Sequence, residues 1–149
     1  MMLAMRPEHA CWGARALPVG LARKRGFRID EPTASAQVRA NVVALEKLRD
    51  RMHQGFMFPV GDNFSESILS YMLLGLHAEN YQPDLNTDAA AQQILQRQNP
   101  NGQWAVQQSD SRPPLCLDSN GQTQLSLHRL HLYAPKAGRA AYDKSIQLA

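Results

Sequence analysis

Cysteine is scarce in this chain: its 149 residues include two, Cys11 and Cys116. Two cysteines that lie so far apart in sequence cannot form the dense disulfide framework of a small secreted protein. They do not form a Cys-x-x-Cys pair either, which argues against a redox or metal motif of that type. We expect both to be small, buried or half-buried thiols.

Long apolar runs are also missing. No stretch approaches the roughly 18 apolar residues that a membrane-spanning helix requires. The N-terminal stretch Met1 to Ala16 carries Arg6 and Glu8 and has no continuous apolar core, so it is a poor signal peptide. With 44% hydrophobic and 19% charged residues, the composition is that of one globular domain. The expected compartment is the cytoplasm, with attachment to a membrane surface as the alternative.

Basic residues form one cluster, Arg23-Lys24-Arg25 with Arg28, in a chain of net charge +3. A nucleic-acid interface would combine such a cluster with several aromatic residues, and Phe27 alone lies nearby. Cations in the last turn of a helix stabilise its dipole, which is a sufficient local reason for them. We therefore predict a helix end here and no nucleic-acid partner.

The alternation of apolar and polar residues that is typical of strands is absent from every useful window, which predicts an all-α fold of about six helices. Caps, glycines and prolines mark the ends of these helices. The expected helices run from about Arg15 to Arg25, with residues 1–14 irregular; from Asp30 to a stop at Gly55; from Asp62 or Asn63 onward; from Asp88 to Gln98 with Thr87 as cap; from Ser119 or Thr123 to Pro135; and from about Gly138 to Leu148.

The most informative motif follows the fourth helix. Gln98 is followed by Asn99-Pro100-Asn101-Gly102, which contains two strong turn formers, and then by Trp104. This turn resembles the QW motif of squalene-hopene-type triterpene cyclases and of prenyltransferase-like α/α repeats, in which Gln, Gly and Trp recur at this spacing. Residues 22–31 and 112–135 are similar to the same family, so the resemblance spans roughly residues 15 to 143.

The resemblance implies an α/α toroid, a ring of helical hairpins, of which three hairpins would form about half. It also implies a structural role for the motif, with Trp104 buried against a helix end and the Gln98 amide bonded to backbone groups. Half a ring leaves apolar hairpin faces open at both ends. We therefore expect a homo-oligomer or one part of a larger ring. The faces expected to be open carry Leu17, Val19 and Leu21 in the first helix and Tyr142 and Ile146 in the last.

Asp118 is the one candidate for catalysis. The proton-initiated cyclases of the resembled family carry an Asp-x-Asp-Asp motif in a comparable loop before a helix, and one of its carboxyl groups protonates an alkene. In this chain Asp118 is followed by Ser119 and Asn120, so the neighbouring carboxylates that would strengthen such an acid are missing. The simpler prediction is that Asp118 caps the fifth helix.

Phe56, Phe58 and Asp62 are the candidate ligand-binding residues. They belong to an unusually apolar connection before the third helix. Aromatic rings and a carboxylate there would suit a pocket for a hydrophobic, isoprenoid-type ligand. The alternative is ordinary helix capping beside core phenylalanines.

His128 and His131 stand three positions apart on the fifth helix, but no further ligand joins them at metal-binding spacing. We predict no metal and no cofactor. The leading hypothesis is a degenerate, non-catalytic member of the cyclase-like family that binds a hydrophobic small molecule or a protein. The alternatives are an active terpene cyclase or isomerase and a helical-repeat scaffold for protein partners.

Overall fold

The structure is a computed structural model that describes residues 10–55, 66–105 and 118–149. These ranges contain six α-helices and no strand, which confirms the predicted all-α fold class. None of the described helices is long and apolar enough to cross a bilayer. The helices are α1 (Ala10–Lys24), α2 (Glu31–His53), α3 (Glu66–Ala78), α4 (Leu85–Gln96), α5 (Ser119–Tyr133) and α6 (Arg139–Leu148).

The end of α1 agrees with the prediction. Gly26 has a φ of +79°, and its N–H donates to the Arg23 carbonyl while the Phe27 N–H donates to the Ala22 carbonyl. This bond pair is the Schellman motif, which uses glycine because a left-handed φ carries little steric cost without a Cβ. Phe27 is thereby fixed at a defined place beside the last turn of the helix.

The start of α1 differs from the prediction. The helix begins at Ala10, upstream of the expected Arg15, so part of the stretch that was expected to be irregular is helical. Helix α1 packs closely on α3: a Cβ added to Gly20 would lie 2.5 Å from the Ala78 carbonyl oxygen. We attribute the longer helix to this long-range packing, which local propensity does not encode and which outweighs the cost of Pro18 inside the helix.

Helix α2 begins as predicted. The Asp30 carboxylate accepts hydrogen bonds from the Thr33 N–H at 3.4 Å and the Thr33 hydroxyl at 2.7 Å. The apolar stripe of the helix faces the core, where Leu45 and Met52 are fully buried. Gly55 follows the helix with a φ of +70°, in agreement with the predicted stop.

The predicted cap of α4 is wrong. Asp84, not Thr87, is the N-cap, and its Oδ1 accepts hydrogen bonds from the Asn86 N–H at 3.0 Å and the Thr87 N–H at 2.9 Å. The Thr87 hydroxyl in turn accepts from the Asp84 N–H at 2.8 Å, which completes a reciprocal capping box. The prediction placed the cap too late because the first helical residue, Leu85, is an apolar residue that is 70% exposed and so lies outside the buried face of α4.

Helices α1 and α2 each pack chiefly on the helix two positions later, α1 on α3 and α2 on α4, while α5 lies against both α3 and α4. One apolar core cluster draws its members from α2 to α6 and from Trp104, while α1 packs against α3. The fully buried members of the cluster include Leu69, Leu73, Leu76, Ile94 and Leu130. Close packing of α4 is possible because its buried face, Ala89-Ala90-Ala91, is small.

The C-terminal end of the fold is closed. Tyr142 in α6 is 5% exposed and Ile146 packs against the core cluster. The expectation of an open apolar face on the last helix is therefore wrong, because α6 folds that face inward. At the other end, Leu21 of α1 is 51% exposed.

Candidate functional site

The Gln98–Trp104 turn, residues 98 to 104, joins the ends of three helices. The Gln98 Nε2 donates hydrogen bonds to the Gly102 carbonyl and to the Ser145 carbonyl, both at 2.9 Å. The Ser145 hydroxyl donates back to the Gln98 Oε1 at 2.5 Å. One amide thus closes the turn after α4 and binds it to α6, as expected for a glutamine that satisfies free backbone groups.

Trp104 has no solvent exposure. Its indole Nε1 donates to the Ile94 carbonyl at 2.7 Å, and its backbone N–H donates to the Thr123 Oγ1 at 3.1 Å. These bonds connect the end of α4 with the first turn of α5. The burial and the bonding both agree with the structural role predicted for this residue, and they leave no free face on which a ligand could stack.

Glycine is the only residue that fits at position 102. Its φ is +86°, and a Cβ there would lie 2.2 Å from the Leu148 carbonyl oxygen. A side chain would therefore be strained by its backbone conformation and would collide with the end of α6. Gln98, Gly102 and Trp104 act together to hold the C-terminal helix.

Asp118 is exposed, and its Oδ1 accepts a hydrogen bond from the Gly121 N–H at 2.7 Å. This geometry is the predicted N-cap of α5. An alkene-protonating acid would need burial and a neighbouring carboxylate to hold its proton. Among the described residues, Asp118 has neither the burial nor the neighbouring carboxylate of such an acid, and it serves as a helix cap.

Phe56, Phe58 and Asp62, the candidate ligand-binding residues, lie outside the described residues, as does the predicted start of α3. His128 and His131 are exposed on α5. The ring of His128 is partly desolvated all the same, and this partial desolvation, with the nearby Arg129, lowers the pKa of His128. Within the described ranges no three His, Cys, Asp or Glu side chains come together as a metal site would require.

Arg129 was not singled out by the sequence, yet it is fully buried between α3 and α5. Its Nε donates to the Ser70 carbonyl at 2.5 Å and its Nη1 donates to the Leu125 carbonyl. Among the described residues, neither Nη2 of Arg129 nor the buried Ser70 hydroxyl has a partner. Burial lowers the pKa of Arg129 to about 9.

A cleft of about 240 Å³ opens at the end of α3, beside the last turn of α5. We call it the Tyr133 cleft; its walls include His77, Tyr81, Leu132 and Tyr133. Tyr133 is 2% exposed, and its hydroxyl has no hydrogen-bond partner. The Tyr81 hydroxyl donates to the Asp84 Oδ2 at 2.7 Å.

The sequence contained one signal for the buried polar residues of α5. The leucines of this helix are spaced two or three positions apart and cannot all share a face. The buried face of α5 instead carries polar residues at helical spacing, followed by Leu130 and Tyr133. This series consists of Gln122, Thr123, Ser126 and Arg129. Which face turns inward depends on α3 and α4, so the hydrophobic pattern alone was insufficient.

Comparisons of the chain with protein-family models, with curated proteins and with solved structures find no match. The resemblance to the squalene-cyclase-like repeats therefore rests on the sequence of the Gln98–Trp104 turn and its neighbouring segments. The geometry of the turn is compatible with that resemblance without requiring it.

Proposed function

We propose that this chain is a non-catalytic helical domain, related in plan to α/α repeat proteins, that binds a protein through the end formed by α1 and the α1–α2 turn. The simplest partner is a second copy of the chain. The observation that carries the proposal is the exposure of two large apolar side chains at this end: Leu21 is 51% exposed and Phe27 is 66% exposed.

The two side chains belong to one rigid motif. Phe27 follows Gly26 in the Schellman motif and Leu21 lies in the last turns of the helix, positions that this motif brings near each other. Exposed apolar residues of this kind mark interaction sites when they stand together and not singly. A motif that is already ordered would lose little entropy on binding.

Ion pairs fix the backbone beneath these side chains. Arg23 binds Glu31 at 2.8 Å and Glu79 at 2.7 Å, so a single guanidinium connects α1, α2 and the end of α3. Lys24, Arg25 and Arg28 lie within three positions of Phe27 in the sequence and are exposed. An apolar centre with a charged rim is the usual anatomy of a protein interface.

The exposed pair at the end of α1 suits a closed, two-fold dimer. Among the described residues, α6 turns Tyr142 and Ile146 toward the core, and an isologous contact between two α1 ends would cover Leu21 and Phe27 in both copies. This supports a dimer over the continuing ring that three hairpins with two open faces would form.

A non-catalytic role is supported because the candidate residues that the structure describes are all engaged in holding the fold together. Asp118 caps α5, and Gln98 and Trp104 hold helix ends together. The hydrophobic-ligand hypothesis depends on Phe56, Phe58 and Asp62, outside the described residues, and it stays a prediction. Purified protein incubated with squalene should yield no cyclic product. A product that disappears in Asp118→Asn would instead favour the cyclase.

Light scattering at tens of micromolar tests the dimer, because transient homodimers commonly dissociate in the micromolar range. We expect the wild type to have twice the monomer mass. The variant Leu21→Gln with Phe27→Ser should be monomeric. Leu85→Gln is the matched control, since it makes the same kind of exchange at an apolar side chain that is 70% exposed but belongs to the start of α4. A wild type that is monomeric throughout, or a dimer that Leu85→Gln abolishes and the double variant does not, would contradict the proposal.

A further inference from the structure

The dipeptide Asn-Gly occurs twice in this chain, at Asn101-Gly102 and at Asn120-Gly121. In such a pair the backbone nitrogen of the glycine can attack the asparagine side chain, because glycine has no Cβ to block the approach. The two pairs lie in different local structures, since Asn101 belongs to the Gln98–Trp104 turn and Asn120 to the first turn of α5. One reaction should therefore proceed at different rates at two places in the same molecule.

The Asn101 side chain folds toward the peptide group with which it would react. Its Oδ1 accepts a hydrogen bond from the Gln103 N–H at 3.1 Å, and its Nδ2 donates to the Gln103 Oε1 at 3.3 Å. The first bond closes a ring of atoms that includes both the Asn101 Cγ and the Gly102 nitrogen. A donor at Oδ1 also stabilises the negative charge that develops there when a nucleophile attacks Cγ. The geometry of the turn therefore favours attack on this carbon.

Asn120 is oriented in the opposite way. It is the second residue of α5, and in a helix each Cα–Cβ bond tilts toward the N-terminus, away from the nitrogen of the next residue. The Gly121 N–H is engaged in the helix cap, where it donates to the Asp118 Oδ1 at 2.7 Å. Attack by this nitrogen would require the first turn of α5 to unwind.

One contact slows the reaction at Asn101. The Gly102 N–H donates to the Asn99 carbonyl at 2.9 Å and so closes the turn. This bond must open, and the N–H must lose its proton to hydroxide, before the nitrogen can attack. Asn101 is exposed, so hydroxide and water reach its side chain. We therefore expect a reaction that is slower than in the unfolded chain and that accelerates with rising pH.

We propose that Asn101 is a site of spontaneous deamidation. The deprotonated Gly102 nitrogen forms a bond to the Asn101 Cγ, the bond from Cγ to Nδ2 breaks, and Nδ2 takes a proton from water and leaves as ammonia. The product is a five-membered succinimide ring. Water then opens the ring: cleavage between Cγ and the Gly102 nitrogen gives aspartate, and cleavage between that nitrogen and the main-chain carbonyl carbon gives isoaspartate. The net reaction consumes one water and needs no oxidant or reductant.

The isoaspartate product should detach α6. Its main chain runs through Cβ and Cγ, which adds one carbon–carbon bond of about 1.5 Å before Gly102. Gly102 has no space for this change, because even an added Cβ would collide with the Leu148 carbonyl. The Gly102 carbonyl also accepts from the Gln98 Nε2, which binds the Ser145 carbonyl of α6. A longer turn cannot keep both contacts, so the modification releases the C-terminal helix irreversibly.

Incubation of the purified protein in mildly alkaline buffer made with heavy-oxygen water, followed by peptide mass spectrometry, measures the reaction at both sites. We expect Asn101 to react roughly tenfold faster than Asn120 in the folded protein, the ratio that about 1.4 kcal/mol of helix unwinding produces. In concentrated urea the two sites should react at similar rates, because both local structures are lost. Equal rates in the folded protein, or an Asn101 that reacts only in urea, would overturn the proposal.

Two variants separate the added charge from the longer main chain. Asn101→Asp carries the charge of the ordinary product, and Asn101→Ser cannot form the ring but can still accept the Gln103 N–H bond. Both should keep the α6 amides protected from hydrogen exchange. The isoaspartyl wild type, isolated by chromatography, should lose that protection. Equal protection in the isoaspartyl protein and in Asn101→Asp would contradict the release of α6. None of these residues belongs to the α1 end, so the proposal can fail or succeed independently of the proposed dimer.

Discussion

Polar side chains enter the interior of this small fold at two places, and the two places differ in whether those side chains have hydrogen-bond partners. In the Gln98–Trp104 turn the Gln98 amide and the Trp104 indole have backbone partners at 2.7–2.9 Å. Arg129 is as fully buried as Trp104, but one of its amino groups and the neighbouring Ser70 hydroxyl have no partner among the described residues. A hydrogen-bonded buried group stabilises a fold, while an unpaired one costs its full desolvation. We therefore expect substitutions at the two places to have opposite signs.

The largest effect should come from Trp104→Ala. The variant removes a side chain with no exposure and also the bond from Nε1 to the Ile94 carbonyl. Loss of a buried aromatic side chain costs about 3–5 kcal/mol of unfolding free energy. Urea denaturation followed by circular dichroism measures it. A change well below 1 kcal/mol would show that the turn is not needed to hold α4, α5 and α6 together.

Gln98→Ala should be the next most destabilising. It leaves the Gly102 and Ser145 carbonyls and the Ser145 hydroxyl without their partner. Unsatisfied buried groups cost about 1–3 kcal/mol each when water cannot replace the partner, so we expect a loss of about 2–3 kcal/mol. Gln96→Ala is the matched control, since Gln96 is an exposed glutamine two positions earlier, at the end of α4. Equal stability of the two variants would argue against the role of Gln98.

The contrast also explains what the sequence could predict. Helix ends and the Gln98–Trp104 turn depend on residues within a few positions of each other, and Gly26, Asp30, Asp118 and Pro135 marked them correctly. Features that depend on distant helices could not be predicted. The early start of α1, the inward turn of α6 and the burial of Arg129 each arise from packing between helices.

The candidate site was predicted less well than the fold. A structural role was expected for Trp104 and Gln98 because their turn resembles the QW motif, whose residues hold helix ends together. The Tyr133 cleft was not expected, because Tyr81 and Tyr133 are far apart in the sequence and meet at the end of α3. The Thr87 error had a local cause, since an exposed leucine at the first helical position hid Asp84 as the true cap.

Arg129→Met should change the unfolding free energy in the opposite direction from Gln98→Ala. Methionine fills similar space without a charge, and replacing buried charge by apolar groups is often neutral or stabilising. We expect no loss and a gain of about 1–2 kcal/mol in unfolding free energy. Arg39→Met, at an exposed position of α2, serves as a comparison for loss of a charge at the surface. A loss above about 2 kcal/mol at Arg129 would mean that its two carbonyl bonds outweigh its desolvation.

Measuring the stability of the wild type and of Arg129→Met as a function of pH gives a second test of the buried charge. Burial lowers the pKa of Arg129 to about 9 from its ordinary value of 12.5. Between these values the unfolded chain binds the proton and the folded chain does not, so stability rises with pH. From about pH 8 to about pH 10 the unfolding free energy of the wild type should therefore rise relative to that of Arg129→Met, by up to roughly 1 kcal/mol. A stability difference that is flat over this window would show that Arg129 stays protonated in the fold.

The smallest effect should come from Asp118→Ala. Like Gln98, Asp118 bonds a free backbone N–H at a helix end, that of Gly121 at 2.7 Å. Unlike Gln98, it is exposed, so water can take the place of the lost carboxylate. We expect a loss of about 1 kcal/mol, the usual value for an N-cap, and recovery of most of it in Asp118→Ser. Thermal and urea denaturation of the three proteins measure it. A loss as large as that of Gln98→Ala would mean that exposure does not set the cost, and the contrast between buried and exposed partners would fail for this fold.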